Sequence, residues 1–286
     1  MKPRGALKRL TLGNALTTRR LAAVLLLAVM AAGSADGQER EAPLQTGARD
    51  PAAPASVESA NAAFNAGMAL YNAAEYADAA ARFAQAADTY GRIGAEVAIY
   101  REYALSWAGL SHFNLGDLEE SLRCYDEALA LARELEDAGE TARLSSSVGS
   151  VYVAQGDLQK ALRLFEESVA LNDSLGRADF VAYDLNNTGN VYEMLDRRPE
   201  AVPYYEEALS VMEETADPET VILQAVGLAQ VYDALGRHRE EIAAYEKALA
   251  WARELGDPEY EAVMLGNLGL CHTVLSEYET ALGYYD

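Results

Sequence analysis

The chain has 286 residues, half of them apolar, and carries 45 acidic against 23 basic side chains for a formal net charge of −22. An apolar fraction of that size can bury a substantial core, but so acidic a surface repels nucleic acid and anionic lipid and favours a basic protein or peptide as partner. Cys124 and Cys271 fit neither the spacing of a zinc site nor that of a redox pair.

The first 37 residues read as an export signal. Lys2, Arg4, Lys8, Arg9, Arg19 and Arg20 precede an unbroken apolar run, Leu21 to Ala32, and the small-residue stretch Gly33 to Gly37 follows it. Basic, apolar and small residues in that order form a secretory signal peptide, cleaved here after Ala35 or Gly37. The run is shorter than the roughly 20 residues of an ordinary membrane span. The expected location is therefore the periplasm or the extracellular space, with the alternative that an uncleaved segment anchors the protein in the membrane. Residues 38–57 hold Pro43, Gly47, Pro51 and Pro54 among few large apolar groups and are expected to be a flexible linker.

From about residue 58 the chain is periodic. Leu115–Gly116–Asp117, Gln155–Gly156–Asp157, Leu195–Asp196–Arg197, Leu235–Gly236–Arg237 and Leu275–Ser276–Glu277 each lie 40 residues after the last, and Ala73–Ala74–Glu75 lies 42 before the first of them. The phrase ALALARELED at Ala128 to Asp137 returns as ALAWARELGD at Ala248 to Asp257, three periods on. Each period carries two helical patterns. Leu185, Thr188, Gly189, Tyr192 and Leu195 mark one face of a first helix, and Leu118, Leu122, Tyr125, Leu129 and Ala132 mark one face of a second. Asp217–Pro218 and Asp257–Pro258 are expected to cap and open first helices, since Asp accepts the orphan amide bonds and Pro needs none. Pro203, inside the fourth second helix, predicts a local bend.

Small and large residues alternate at the same period. Gly67, Gly109, Gly149, Gly189, Ala229 and Gly269 form one ladder; Ala86, Ala128, Ser168, Ala208 and Ala248 a second; Phe83, Tyr125, Phe165, Tyr205, Tyr245 and Tyr285 a third. Small groups let helices approach and rings fill the wedge between them. These ladders resemble the tetratricopeptide repeat in a 40-residue form, over residues 58–286, in six copies of which the last is truncated. The resemblance implies an all-α fold, a right-handed superhelical solenoid of antiparallel helix pairs. By register Asp286 falls in mid-helix, so the sequence reads as part of a longer chain, with Leu282 and Tyr285 on an open C-terminal edge that invites self-association.

Chemistry-bearing residues have plain structural readings. His112 and His272 sit in a packing register four periods apart, and His238 lies in a turn between Arg237 and Arg239, where solvation is expected. The acid pairs Glu119–Glu120, Glu166–Glu167, Glu206–Glu207 and Glu213–Glu214 recur by register on polar helix faces. No phosphate loop, nucleophile elbow or His–Glu metal motif is present, so no catalytic residue, metal site or cofactor is expected. The resemblance implies that first helices line a concave groove for extended peptides. There it places Ser146 and Ser150 of the third copy, Asn186, Asn190 and Glu193 of the fourth, and Gln230 and Asp233 of the fifth. Asn and Gln can donate to and accept from a peptide backbone at once, and the acids favour a basic ligand. The lysine and asparagine clamp that some members use for a terminal carboxylate is missing. The expected function is an exported scaffold that binds a protein or peptide. The alternative is the recognition arm of a longer enzyme, a caspase-like CHAT peptidase or a sensor kinase in layout.

Overall fold

The computed structural model describes residues 56–286. The expected signal, residues 1–37, and the linker up to residue 55 lie outside the described residues. Ser56 and Val57, expected in the linker, instead start the first helix. The Ser56 hydroxyl accepts from the Ser59 amide at 3.2 Å and Ser59 returns the bond, a reciprocal cap over Val57–Asn72.

The described residues divide into two compact units, 56–177 and 178–286. The first holds α1 (Val57–Asn72), α2 (Tyr76–Ile93), α3 (Ala98–Leu115), α4 (Leu118–Glu134), α5 (Ala138–Gln155) and α6 (Leu158–Ser174). The second holds α7 (Ala178–Met194), α8 (Arg198–Thr215), α9 (Pro218–Ala234), α10 (His238–Leu255), α11 (Pro258–Val274) and α12 (Tyr278–Tyr285). Within each unit every helix packs on the next in chain order, and no strand occurs among the described residues. The repeated ten-residue phrase is the C-terminal part of α4 and of α10 with the turn that follows. The two-residue surplus after the first copy is absorbed by a short 3₁₀ turn, Ala95–Val97, which follows Gly94 at φ 133°.

The tripeptide turns share one backbone device. The amide of Asp117 donates to the His112 carbonyl at 3.0 Å, Asp157 to Tyr152 at 2.9 Å, Arg197 to Tyr192 at 2.9 Å, Arg237 to Tyr232 at 2.8 Å and Glu277 to His272 at 2.8 Å. This six-to-one bond needs a left-handed residue just before it. Gly116 at φ 82° and Gly236 at φ 70° supply it without steric strain; Asp196 at φ 56° and Ser276 at φ 63° do so against a penalty of about 1–2 kcal/mol. The consequence is that side chains five apart face one another across the turns at Gly116, Asp196, Gly236 and Ser276.

Asp217 and Asp257 cap as expected. Asp217 accepts from the Thr220 amide at 3.1 Å and hydroxyl at 2.7 Å, and Asp257 from the Glu259 amide at 2.8 Å, with Pro218 and Pro258 at the first helical positions. The Thr220 hydroxyl holds the Asp217 carboxyl below its ordinary range. Helix α8 runs through Pro203, whose ring is exposed.

The small and large ladders meet. A Cβ built on Gly109 would stand 2.9 Å from the Tyr125 ring, on Gly149 2.9 Å from Phe165, and on Gly189 2.7 Å from Tyr205, so each ring lies directly on the glycine backbone of its partner helix. Phe83 and Phe165 are fully buried, and Tyr125 nearly so. One apolar cluster runs from Ala60 to Val151 and another from Ala182 to Cys271, each inside its own unit. Both cysteines are buried, unbridged thiols. Gly227 is the contrast: it is exposed in mid-α9, and nothing lies within 4 Å of the place a methyl group would take there. Gly227→Ala is therefore expected to raise stability by about 0.5–1 kcal/mol, read as a shift in the urea midpoint.

The acid pairs are more engaged than a solvated face requires. Glu167 on α6 pairs with Arg133 on α4 at 2.6 Å, and Glu213 on α8 pairs with Lys247 on α10 at 2.8 Å. Both bridges tie the second helices of consecutive copies, although exposed pairs of this kind contribute only about 0–1 kcal/mol each.

Candidate functional site

On α5, Ser146 is partly exposed, whereas Ser150 is buried and its hydroxyl donates to the Ser146 carbonyl at 3.1 Å. Only the first of these two offers its side chain to a ligand. Three residues earlier on the same face stands Arg143, which the repeat pattern does not single out. Its guanidinium donates to the Ser106 hydroxyl of α3 at 2.9 Å and pairs with Glu140 at 2.8 Å and Glu102 at 3.6 Å. Burial alone would lower the Arg143 pKa, but the Glu140 and Glu102 carboxylates override it and hold the guanidinium charged. This network ties two consecutive first helices together. Its signal in the sequence is a basic residue on a first-helix face at i−3 from Ser146, which periodicity alone does not separate from a surface arginine.

On α7, Asn186 is buried, and Asn190 and Glu193 are partly exposed. The Tyr205 hydroxyl of α8 donates to Asn190 Oδ1 at 2.7 Å and lies 3.1 Å from Glu193 Oε2, and Glu193 also faces Arg198 at 3.6 Å. Burial and then the Glu193 charge push the Tyr205 hydroxyl pKa up, so it remains a donor at any ordinary pH. In the sequence Tyr205 shows only as a ring of the packing ladder; its hydroxyl also orients two of the expected groove residues. On α9, Gln230 and Asp233 are partly exposed, and Asp233 Oδ1 lies 4.0 Å from His238 Nδ1. The expected set thus divides. Ser146, Asn190, Glu193, Gln230 and Asp233 reach the surface, while Ser150 and Asn186 are packed inside.

The turns add a second periodic feature. Arg197 lies over the Tyr192 ring at 4.9 Å and Arg237 over Tyr232 at 4.7 Å, each five residues on. Where the register of Tyr192 and Tyr232 carries histidine, the partner is an acid: His112 meets Asp117 at 3.7 Å, and His272 meets Glu277 at 2.6 Å while its ring stacks on Tyr284. The His272 hydrogen bond holds the Glu277 carboxyl below its usual range. Tyr152, at the same register in the third copy, instead meets Lys160, eight residues on, at 4.7 Å.

A family model described as tetratricopeptide repeat matches residues 100–174 and 182–254, together just over half of the chain. The chain belongs to the tetratricopeptide repeat family. Among solved structures, BtubC (BKLC) from P. vanneervenii is similar at 20% identity, over 72% of this chain and 86% of that one, with a TM-score of 0.58. Aspartyl phosphate phosphatase F from Bacillus subtilis is similar at 14% identity, over 80% and 69%, with a TM-score of 0.63. A Rap protein complexed with competence and sporulation factor is similar at 16% identity, over 80% and 73%, with a TM-score of 0.55. At such identities the likeness is one of fold. No curated protein matches the chain. The all-α, tetratricopeptide-like solenoid architecture of helix pairs follows from the family match and the structure together, and among the described residues no helix is long and apolar enough to cross a membrane.

Proposed function

We propose that this tetratricopeptide repeat protein is an exported scaffold whose first-helix faces hold an extended protein or peptide segment, with no catalysis in the segment described. The observation that supports it best is the repetition of partly exposed polar side chains at two registers on first helices of the second unit, Asn190 and Glu193 on α7 and Gln230 and Asp233 on α9. Amide and carboxylate groups held at fixed spacing on rigid helices hydrogen-bond a peptide backbone with little ordering of the protein, which conserves affinity. The similar Rap fold, solved with competence and sporulation factor, is consistent with that use. The net charge of −22 favours a basic segment as ligand, and the basic and apolar leader favours export.

Peptide selection against the full chain tests this. Peptides rich in Lys and Arg should be enriched, and Gln230→Trp or Asn190→Trp should weaken the best of them at least tenfold in fluorescence anisotropy while the far-ultraviolet circular dichroism stays unchanged. Equal affinity in both variants, or enrichment of acidic peptides, would remove these faces from the function.

A further inference from the structure

One turn of the fifth copy departs from the others. Among the described residues it is here that three metal-ligating side chains converge: Asp233, His238 and Glu241 place ligand atoms all within 4.8 Å of one another. His238 Nδ1 lies 3.0 Å from Glu241 Oε2 and 4.0 Å from Asp233 Oδ1. Two flanking arginines make a solvated His238 the expectation from sequence; the structure leaves its side chain only 26% exposed. Both arginines are directed elsewhere. Arg237 pairs with Glu240 at 2.9 Å and covers the Tyr232 ring, and Arg239 pairs with Glu277 at 2.7 Å.

Repeat register supplies an independent observation. Glu241 is fully buried, and the equivalent positions are Ala79, Ser121, Ala161, Ala201 and Ala281, every one of them buried as well. Five copies put a methyl or a small hydroxyl at this close helix contact, and this copy puts a carboxylate there. A carboxylate buried at a position that packs well with alanine needs polar or cationic groups around it, and His238 is one that faces it. Across the turn, His238 stands where other copies have Leu118, Leu158, Arg198 and Tyr278, and Asp233 stands where they have Phe113, Val153, Glu193 and Thr273. No other copy unites the three.

We infer that Asp233, His238 and Glu241 form a binding site for a divalent transition-metal ion of the Zn²⁺ class. One imidazole nitrogen with two carboxylates is a borderline donor set, which suits zinc and its neighbours better than the oxygen-only preference of calcium. Ligand atoms each about 2.0–2.2 Å from one ion lie about 3–4 Å apart, so Glu241 and His238 stand close to the required separation and Asp233, partly exposed at the end of α9, closes the remainder. Two carboxylate charges outweigh the partial positive charge of the α10 N-terminus beside His238. Three protein ligands leave coordination positions open to water or to a ligand donor. Because Asp233 also belongs to the first-helix face, an ion held here would stand at its edge. The inference does not depend on peptide binding.

Isothermal titration of the untagged full chain with ZnCl₂ tests the site, with CaCl₂ as the contrasting ion. His238→Leu and Glu241→Ala copy residues that other copies carry at these registers, so both variants should keep the wild-type circular dichroism. The wild type should bind one more Zn²⁺ per chain than either variant, with at least tenfold weaker affinity at this site in each variant. Zn²⁺ should raise the melting temperature of the wild type and not of Glu241→Ala. Identical zinc isotherms in wild type and variants, no zinc binding at all, or a preference for calcium would overturn the inference and leave a His238–Glu241 hydrogen bond alone.

Discussion

Arg143→Met is expected to destabilise the chain by about 3–5 kcal/mol, the range for a buried ion pair that loses one partner. The size follows from what remains. The Glu102 side chain is 1% exposed and Glu140 5%, and the Arg143 side chain that faces both is itself only 10% exposed. Without it two carboxylates share a site with little water, and the Ser106 hydroxyl loses its donor. Met keeps most of the stem volume, which isolates the charge from the packing. The loss should be read as a lower urea midpoint by far-ultraviolet circular dichroism. The triple variant Arg143→Met, Glu102→Gln, Glu140→Gln should recover at least half of it, because removing both signs of a buried pair is far less harmful than removing one. A single variant that loses under about 1 kcal/mol would mean that water reaches the cluster.

Phe165→Ala is expected to cost about 3–5 kcal/mol through lost burial and the cavity left behind. The ring is fully buried and lies on the Gly149 backbone, where a methyl would already be 2.9 Å from it. Glycine cannot reach into the vacated space, and the helix backbones that frame it are fixed by their own hydrogen bonds, so the cavity should not collapse. Denaturation in urea, compared with the half-buried Leu164→Ala as a milder control, gives the difference. A midpoint unchanged by the loss of the ring would show that the small and large ladders do not form the wedge between helices.

These two sites also mark what the sequence can and cannot reveal. Gly149 and Phe165 are legible because their spacing repeats at Gly109 and Tyr125 and at Gly189 and Tyr205, and a close approach recurring at one period has few explanations other than packing. The caps at Asp217 and Asp257 are legible because the physics is local, within three residues. The polar face is legible only as a register. Whether a side chain there is available depends on a partner on another helix: Tyr205 for Asn190, 15 residues on, and Ser106 for Arg143, 37 residues back. Periodicity averages over copies, so it conceals the residue that departs from the pattern. Glu241 in an alanine register and His238 drawn toward Asp233 are such departures, and the flanking arginines that suggest solvation turn outward to Glu240 and Glu277.

Deletion of one period tests most directly whether each helix pair is stabilised by its neighbours alone. Removing residues 218–257 takes out α9 and α10 and splices Asp217 onto Pro258, which restores the Asp–Pro–Glu cap that both junctions already carry. In a nearest-neighbour array the shortened chain should keep its helicity per residue and still melt cooperatively, with only the loss in stability expected of fewer interfaces. Collapse of the helical signal throughout the remaining chain would instead show a core shared among distant copies, and would contradict stabilisation by neighbours alone.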